Sequence, residues 1–183
     1  MARIIVVTGG SRSGKSAYAQ KIAEGLPEPR VYIATAPVID DEMKERVRKH
    51  REAREKSRWR TVEETLDLAG ALRGVGDSGV LLVDCLTLWI NNLIYETGEG
   101  NPMPTEESIA EKCGEVLEAC AAMSGTVIFV TNEVGMGIVP GDPLTRRFRD
   151  LAGRCNQVMA EGADEVIFMV SGRPLPLKGG KTF

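Results

Sequence analysis

The feature that most constrains this chain is residues 3–16, where an apolar run leads into a glycine-rich loop that ends in Lys and Ser. The run at residues 4–7 is typical of a strand that is buried on both faces of a parallel sheet. From Gly9 the spacing is GxxxxGKS, and the following AYAQKIAEG can continue as a helix. Strand, loop and helix therefore stand in the order that a phosphate-binding loop requires.

Each part of this loop has a physical task. Gly9, Gly10 and Gly14 allow positive φ and a close approach of the backbone to a ligand, so that successive N–H groups point into one anion-sized space. Lys15 can reach the outer phosphates of a nucleotide, and the Ser16 hydroxyl can ligate the Mg²⁺ that bridges them. An ordinary glycine-rich turn after an edge strand is the alternative, but the spacing and both flanks favour the phosphate loop.

Length and charge limit the remaining possibilities. A chain of 183 residues suits one α/β domain, which we expect to span residues 1–183. A net charge of -3 argues against a general nucleic-acid or membrane-surface role. The four cysteines form no CxxC pair, and no apolar run reaches transmembrane length. We therefore expect a cytoplasmic protein with buried, reduced cysteines and no zinc.

Apolar segments alternate with helical ones along the chain. Beyond the first strand, the predicted strands are residues 31–34, 79–84, 126–130 and 165–171, and the pattern predicts a three-layer α/β fold with a mainly parallel sheet, as in P-loop nucleotide-binding proteins. Parallel strands open their ligand crevice at their carboxyl ends, so Ala34, Thr35 and Ala36 should lie beside the phosphate loop. Asp84 ends an apolar strand, where a second Mg²⁺ ligand is expected; a strand-end cap is the alternative.

The segment 40–57 is strongly helical in propensity and contains the single histidine of the chain, His50. Between residues 44 and 60 there are nine Lys or Arg against three Glu, a local charge of +6. A solvated helix with a surface histidine is one interpretation. Met43, Val47 and His50 share one helical stripe, however, which favours a helix that turns His50 and several cations toward a ligand.

The rest of the chain is assigned from local signals. Residues 61–64 match a capping box, which predicts a helix from Thr61 to Gly74 with Glu63 in its first turn. Further helices are predicted over residues 86–95, 105–123 and 144–162, the last with arginines mostly on a solvated face. We predict a loop over residues 96–104 and a glycine-rich connection over residues 132–143 that could close over substrate. After residue 171 we predict a tail with little structure.

Taken together, the motifs resemble the bifunctional adenosylcobinamide kinase and adenosylcobinamide-phosphate guanylyltransferase family of cobalamin biosynthesis. The resemblance covers nearly the whole chain, and it rests on the following segments: TGGSRSGKS at 8–16, YIATA at 32–36, DDEM at 40–43 with the basic helix and His50, WRT at 59–61, the strand that ends in Asp84, and TNEVGMGIVP at 131–140. The phosphate loop alone is shared by many enzymes, whereas its combination with the histidine helix and TNEVGMGIVP is far more specific.

The resemblance implies site residues and a reaction. His50 would be the guanylylated histidine, and Lys15 would act in the kinase step. The nucleotide contacts would be Gly9, Gly10, Ser11, Arg12, Ser13, Gly14, Lys15, Ser16, Ala34, Thr35, Ala36, Arg51, Glu52, Ala53, Arg54, Glu63 and Asp84, and the Mg²⁺ ligands would be Ser16 and Asp84. Residues 51–54 read REAR and depart from the family in lacking a glycine.

The implied substrates are adenosylcobinamide and its phosphate, with ATP or GTP as the phosphoryl donor and GTP as the source of GMP. In the first step a phosphoryl group moves to a hydroxyl of the cobinamide, for which Asp84 and Glu133 are both candidate bases by position. In the second, an imidazole nitrogen attacks the α-phosphate of GTP and expels pyrophosphate. The resemblance also implies a homotrimer.

Three other functions compete with this one. A plain P-loop small-molecule kinase would leave His50 without a role. A GTPase-type switch would be expected to carry NKxD, which does not occur in the chain. A nucleic-acid partner for the basic helix is disfavoured by the net acidity and by the single interleaved aromatic residue, Trp59.

Overall fold

The computed structural model describes residues 1–37, 58–76, 78–97 and 102–179. The strands in these ranges are β1 (Arg3–Gly9), β2 (Arg30–Ala34), β3 (Trp59–Glu63), β4 (Val80–Asp84), β5 (Thr126–Val130), β6 (Glu165–Val170) and β7 (Arg173–Lys178). The helices are α1 (Lys15–Glu24), α2 (Leu68–Val75), α3 (Leu86–Tyr95), α4 (Glu106–Ala121) and α5 (Pro143–Gly162).

All seven of these strands belong to one sheet, in the order β3-β2-β4-β5-β1-β6-β7. Every neighbouring pair is parallel except β6 and β7, which form an antiparallel hairpin. β1 lies between β5 and β6, so the loop that follows it extends from a central strand of the sheet and not from an edge strand. The mainly parallel sheet predicted from the sequence is confirmed.

Apolar side chains cover both faces of the sheet, as the β-branched run of β1 predicted. Ile4 and Val6 belong to a core cluster with residues of α2, α3, α4 and α5, whereas Ile5 and Val7 belong to a second cluster with Ala19 of α1 and its neighbours. Alternate residues of a strand point to opposite faces, so a strand with helices on both sides must be apolar throughout. Helices on both faces give the three layers that the sequence predicted.

The predicted helix start at Thr61 is wrong. Residues 59–63 form β3, which pairs with β2 from Arg30 to Ala34, and α2 begins only at Leu68. Its N-terminal cap is Asp67, whose side chain accepts a hydrogen bond from the N–H of Gly70. A capping-box pattern satisfies only local hydrogen bonds, whereas the exposed edge of β2 offers a whole ladder of them. Glu63 therefore ends a strand instead of lying in the first turn of a helix.

The structureless tail predicted after residue 171 is also wrong, because residues 173–178 form β7 against β6. Pro174 and Pro176 argued against a strand. Proline is tolerated on an edge strand, however, since no further strand needs its missing N–H, and β7 is an edge of the sheet. The two edge strands, β3 and β7, are the two that the sequence interpretation missed.

Some predictions fall outside the described residues. These are the helix over residues 40–57 with His50, and the part of the predicted loop at residues 98–101. Within the described ranges, none of the helices has the length and apolar character needed to cross a membrane.

Candidate nucleotide site

Four elements bring predicted site residues to one edge of the sheet. The strand order places the ends of β2, β4, β5 and β1 next to one another, and they carry Ala34, Asp84, Thr131 and the phosphate loop in that order. The register pairs Ala34 with Asp84 and Val7 with Val130, so all four strands end at nearly the same level. The edge predicted for the ligand is thus formed as the parallel topology requires.

The backbone of the phosphate loop adopts conformations that only glycine takes without strain. Gly9 has φ 151° and Gly14, the residue before α1, has φ 92°. A Cβ on Gly9 would lie 2.6 Å from the carbonyl oxygen of Met169 and 2.8 Å from Ser13 Oγ. The loop therefore depends on glycine for its backbone angles at both positions, and for close packing against β6 at Gly9.

Lys15 is held across the loop. Its Nζ donates a hydrogen bond to the carbonyl oxygen of Gly10 at 3.1 Å, and the residue is only 9% exposed. Burial lowers the pKa of Lys15 below its ordinary value, and the negative charge of Asp84 opposes this shift. An ammonium group that is partly stripped of water interacts strongly with phosphate oxygens, because the local dielectric is low.

Polar groups of the loop are left without partners among the described residues. The hydroxyls of Thr8 and Ser13 are buried and make no hydrogen bond there. Buried polar groups in folded proteins are nearly always paired. Two such hydroxyls beside a glycine-rich loop are consistent with a polar ligand that supplies the missing partners.

The β6–β7 turn supports the phosphate loop, a contact that the sequence interpretation missed. The N–H of Gly172 donates to the carbonyl oxygen of Ser13 at 3.0 Å, and a Cβ on Gly14 would lie 3.4 Å from the Cα of Gly172. Ser171 and Gly172 both have positive φ. A Ser-Gly pair between two apolar runs is a recognised hairpin signal, which could have revealed this turn.

Asp84 ends β4 as predicted, and its carboxylate accepts a hydrogen bond from the Tyr32 hydroxyl at 3.1 Å. Carboxylate and hydroxyl oxygens such as those of Asp84 and Ser16 are suitable donors for Mg²⁺, which binds proteins through one or two carboxylates and completes its shell with phosphates and water. Among the described residues no cluster of three or more His, Cys, Asp or Glu could hold a metal by itself. The donor set fits a nucleotide-bound Mg²⁺.

Thr35 fastens the ends of β2 and β4 together. Its Oγ1 donates to the carbonyl oxygen of Cys85 and accepts from the N–H of Cys85, both at 2.8 Å. Asn92 of α3 donates to the carbonyl oxygens of Thr35 and Thr65 at 2.8 and 3.1 Å. A buried asparagine in a mainly apolar helix is a signal that the sequence interpretation did not use.

The residues after β5 continue alongside β1 as far as the phosphate loop. The N–H of Thr131 donates to the carbonyl oxygen of Val7, and the N–H of Glu133 donates to that of Gly9, both at 3.1 Å. Farther along this connection Met136, Ile138 and Val139 are exposed. The glycine-rich connection therefore starts against the phosphate loop and then presents apolar side chains.

The predicted nucleotide contacts divide into three groups. Residues 9–16, 34–36 and Asp84 lie at the common edge, with Ser11 and Arg12 exposed and Thr35 fully buried. Glu63 pairs with Ala34 in register at the end of β3 and is exposed, so it lies at the same edge, one strand farther from the phosphate loop. His50, Arg51, Glu52, Ala53 and Arg54 lie outside the described residues.

Comparison with known proteins places this site in context. Residues 5–177 match the family model described as cobinamide kinase / cobinamide phosphate guanyltransferase. The chain is 43% identical over 175 residues to the bifunctional adenosylcobalamin biosynthesis protein CobP of Pseudomonas aeruginosa, a match that covers 95% of this chain and 96% of that protein. It is 40% identical to the bifunctional adenosylcobalamin biosynthesis proteins CobU of Escherichia coli and Salmonella typhimurium, with 96% of this chain and 99% of each relative covered.

A solved structure has a similar fold. An ATPase from the type III secretion system of pathogenic bacteria superposes with a TM-score of 0.56 and 17% sequence identity. The match covers 91% of this chain and 50% of that one. At this identity the likeness concerns the fold alone, and it agrees with the predicted α/β fold.

Proposed function

Because the chain belongs to the cobinamide kinase / cobinamide phosphate guanyltransferase family, we propose that its phosphate loop and His50 divide two consecutive reactions between them. The protein is a bifunctional enzyme of adenosylcobalamin biosynthesis, a kinase and a guanylyltransferase. The observation that supports the kinase half of this proposal is that Lys15 and Asp84 share one sheet edge beside the phosphate loop.

In the kinase step the loop holds the donor nucleotide, ATP or GTP. Backbone N–H groups of residues 10–16 surround the β- and γ-phosphates, and Lys15 neutralises the charge that develops on the transferred phosphoryl group. The hydroxyl of Ser16 and the carboxylate of Asp84 would hold Mg²⁺, which supplies Lewis-acid stabilisation of the phosphate oxygens when bound. The acceptor is the hydroxyl on the aminopropanol arm of adenosylcobinamide.

In the guanylyltransferase step we propose His50 as the nucleophile. Its imidazole nitrogen attacks the α-phosphate of GTP, pyrophosphate leaves, and the guanylyl group then passes to the phosphate of adenosylcobinamide phosphate to give adenosylcobinamide-GDP. A covalent intermediate divides one difficult displacement into two. The surrounding sequence supports this role, since it is rich in Lys and Arg, whose positive charges favour binding of the GTP phosphates. Further nucleotide contacts are assigned to residues 51–54 and Glu63.

The experiment that tests this division uses GTP labelled at the α-phosphate, with Mg²⁺, followed by denaturation and peptide mapping. We expect acid-labile, alkali-stable label on the peptide that contains His50. The variant His50→Ala should lose the label and keep kinase activity, whereas Lys15→Ala should lower kinase turnover by about 10²-fold or more. Wild-type protein that binds GTP without becoming labelled would instead favour a plain phosphate-loop kinase.

The assembly and the compartment are also part of this proposal. We propose a homotrimer, supported by large apolar side chains that the described chain leaves exposed, such as Tyr95, Leu175 and Leu177. A reducing, cytoplasmic setting is supported by the four cysteines, which are all free thiols and all buried. Sedimentation equilibrium would distinguish a trimer from a monomer or dimer by molar mass.

A further inference from the structure

Glu133 occupies a position at the sheet edge that the division of labour above does not use. It lies two residues beyond the buried Thr131, in the segment that joins β5 to the glycine-rich connection. Its N–H is bonded to the carbonyl oxygen of Gly9, the first residue of the phosphate loop, at 3.1 Å. In the strand order, β5 separates β4, which carries Asp84, from β1 and its loop. Glu133 is therefore fixed between the two phosphate-handling elements.

The Glu133 carboxylate is held by two donors. Its Oε1 accepts a hydrogen bond from the N–H of Gly135 at 3.0 Å, and its Oε2 accepts a longer one from Asn156 Nδ2 at 3.4 Å. Among the described residues it forms no ion pair with Lys, Arg or His. Each carboxylate oxygen has more than one acceptor position, so the group can still accept a proton from a third donor.

Asn156 of α5 cannot turn its amide around without losing hydrogen bonds. Its Oδ1 accepts from the Thr131 hydroxyl at 2.7 Å, and its Nδ2 donates to the carbonyl oxygen of Asn132 at 3.1 Å. Thr131 in turn lies 3.2 Å from the Thr87 hydroxyl, whose oxygen accepts from the N–H of Asn132 at 2.6 Å. With Oδ1 committed to Thr131, Nδ2 is directed at Asn132 and Glu133.

Asp84 is less suited to accept a proton. It already accepts from the Tyr32 hydroxyl at 3.1 Å, and its negative charge interacts with the Lys15 ammonium. If it also ligates Mg²⁺, its remaining electron pairs are engaged by cations. Glu133, by contrast, is held among the described residues by two neutral donors, so a hydroxyl proton can approach it without displacing a cation.

We propose that Glu133 is the catalytic base of the kinase reaction and that Asn156 is its positioning residue. This inference rests on the proposed kinase step. The hydroxyl proton of the acceptor passes to the Glu133 carboxylate as the hydroxyl oxygen forms a bond to the γ-phosphorus. The bond between that phosphorus and the β,γ-bridging oxygen breaks, and the nucleoside diphosphate leaves with the electron pair. The proton on Glu133 is released to water after the product departs.

The first test is Glu133→Gln, which preserves size and hydrogen bonding but cannot take up a proton at neutral pH. We expect kcat of the kinase reaction to fall by about 10²-fold to 10⁴-fold, with KM for nucleotide and for adenosylcobinamide nearly unchanged. Labelling of the His50 peptide by GTP should continue at the wild-type rate. A variant whose kcat stays within about threefold of the wild-type value would overturn the inference, because the expected loss is far larger.

The second test isolates the role of Asn156. Asn156→Ala should lower kcat by about 10-fold to 10²-fold, since a small misplacement of a reacting group is costly. The same substitution made in the Glu133→Gln background should cause little further loss, because the group that Asn156 positions is already inactive. Gln157→Ala, at the neighbouring exposed position, is the matched control and should behave as wild type. Full additivity of the two substitutions would show that Asn156 does not act through Glu133.

The outcomes separate this inference from the proposed function. Wild-type protein that transfers no phosphoryl group to adenosylcobinamide would refute the kinase assignment and, with it, the base assigned to that reaction. Wild-type activity that survives in Glu133→Gln would leave the kinase assignment intact and refute only the assigned base. A thermal unfolding scan of each variant distinguishes a lost base from a lost fold.

Discussion

Polar residues near the sheet edge are of two kinds, since some are proposed to contact the ligand and others hold the strand ends in place. Thr35 and Asn92 belong to the second kind. Both are buried, and their hydrogen bonds join β2, β4, α3 and the segment that leads into α2. An unpaired polar group in such a place costs free energy, so these residues are required once the strands have come together.

We expect Asn92→Ala to lower the free energy of unfolding by about 1–3 kcal/mol, since it removes the donor to the buried carbonyl oxygen of Thr35 and to the part-buried carbonyl oxygen of Thr65. Urea denaturation followed by circular dichroism measures this loss. Asn91→Ala changes the same residue type at the neighbouring, half-buried position and should have a much smaller effect. Equal losses for the two variants would mean that the amide of Asn92 contributes only packing.

At this scale the strand, loop and helix of the phosphate loop could be predicted, and the contacts that support the sheet edge could not. The signal of the phosphate loop is local, because backbone geometry, Lys15 and Ser16 all follow from one run of residues. The contact of Asn156 with Glu133 joins a helix to a connection 23 residues away. The roles assigned to His50 and residues 51–54 stay predictions, since those residues lie outside the described ranges.

At the scale of single helices and strands, central elements were predicted well and edge elements were not. β1, β4 and β5 are apolar because helices cover both of their faces, and this leaves a plain signal in the sequence. β3 and β7 are half-exposed, and their residues also fit a capping box or a proline-rich tail. Pairing with a neighbouring strand decides such cases, and a single sequence does not display it.

The glycines of α2 allow a matched test of its start. Gly74→Ala should raise the free energy of unfolding by about 0.5–1 kcal/mol, because a Cβ there meets no atom within 4 Å and alanine favours the helix. Gly70→Ala should instead lower it by about 1 kcal/mol, since its Cβ would collide with the Asp67 carboxylate that caps the helix. Thermal melts should separate the two variants by several degrees.

If α2 began at Thr61, as the capping-box pattern predicted, Gly70 would lie in the middle of a helix and both substitutions would be stabilising. A raised Tm for Gly70→Ala would therefore contradict the cap at Asp67. Asp67→Asn, which keeps an oxygen acceptor, serves as the control and should retain most of the cap.

Across the whole molecule, the two core clusters keep every cysteine out of contact with water. All four are buried, and Cys113 of α4 lies with its sulfur 3.5 Å from that of Cys155 in α5. Burial raises the pKa of the Cys85 thiol to about 11 and that of the Cys120 thiol to about 12. The Cys155 pKa is raised as well, first by its hydrogen bond with Cys113 and then by burial.

We predict that the folded protein shows almost no thiol reactive toward Ellman's reagent at pH 8, and that four react once the protein is denatured, because only the thiolate is nucleophilic. Rapid reaction of even one thiol in the native protein would contradict the buried positions. The slow rate that remains should be set by opening of the core around each thiol, whose free energy hydrogen exchange measures independently.

The same shifts predict how stability depends on pH. Above pH 9.0, the ordinary pKa of a thiol, the unfolded chain releases protons that the folded chain keeps. The free energy of unfolding should therefore fall as pH rises from about 9 to 11. The lowered pKa of Lys15 acts in the opposite sense, because the unfolded ammonium keeps its proton longer. Because three thiols have a raised pKa and only one lysine has a lowered pKa, we expect the effect of the thiols to dominate. The denaturant midpoints of unfolding at pH 8 and pH 10 would measure the net change in stability.

The position of β1 between β5 and β6 has a consequence for how the chain is made. β1 leaves the ribosome before its two neighbours, which begin only at residues 126 and 165, and the turn that bonds to the phosphate loop follows at Gly172. At ordinary rates of translation the strand waits roughly 10 to 30 s for these partners. The nascent chain must therefore carry an unpaired apolar strand, a natural substrate for chaperones, and nucleotide cannot help it fold until the chain has been synthesised beyond Gly172.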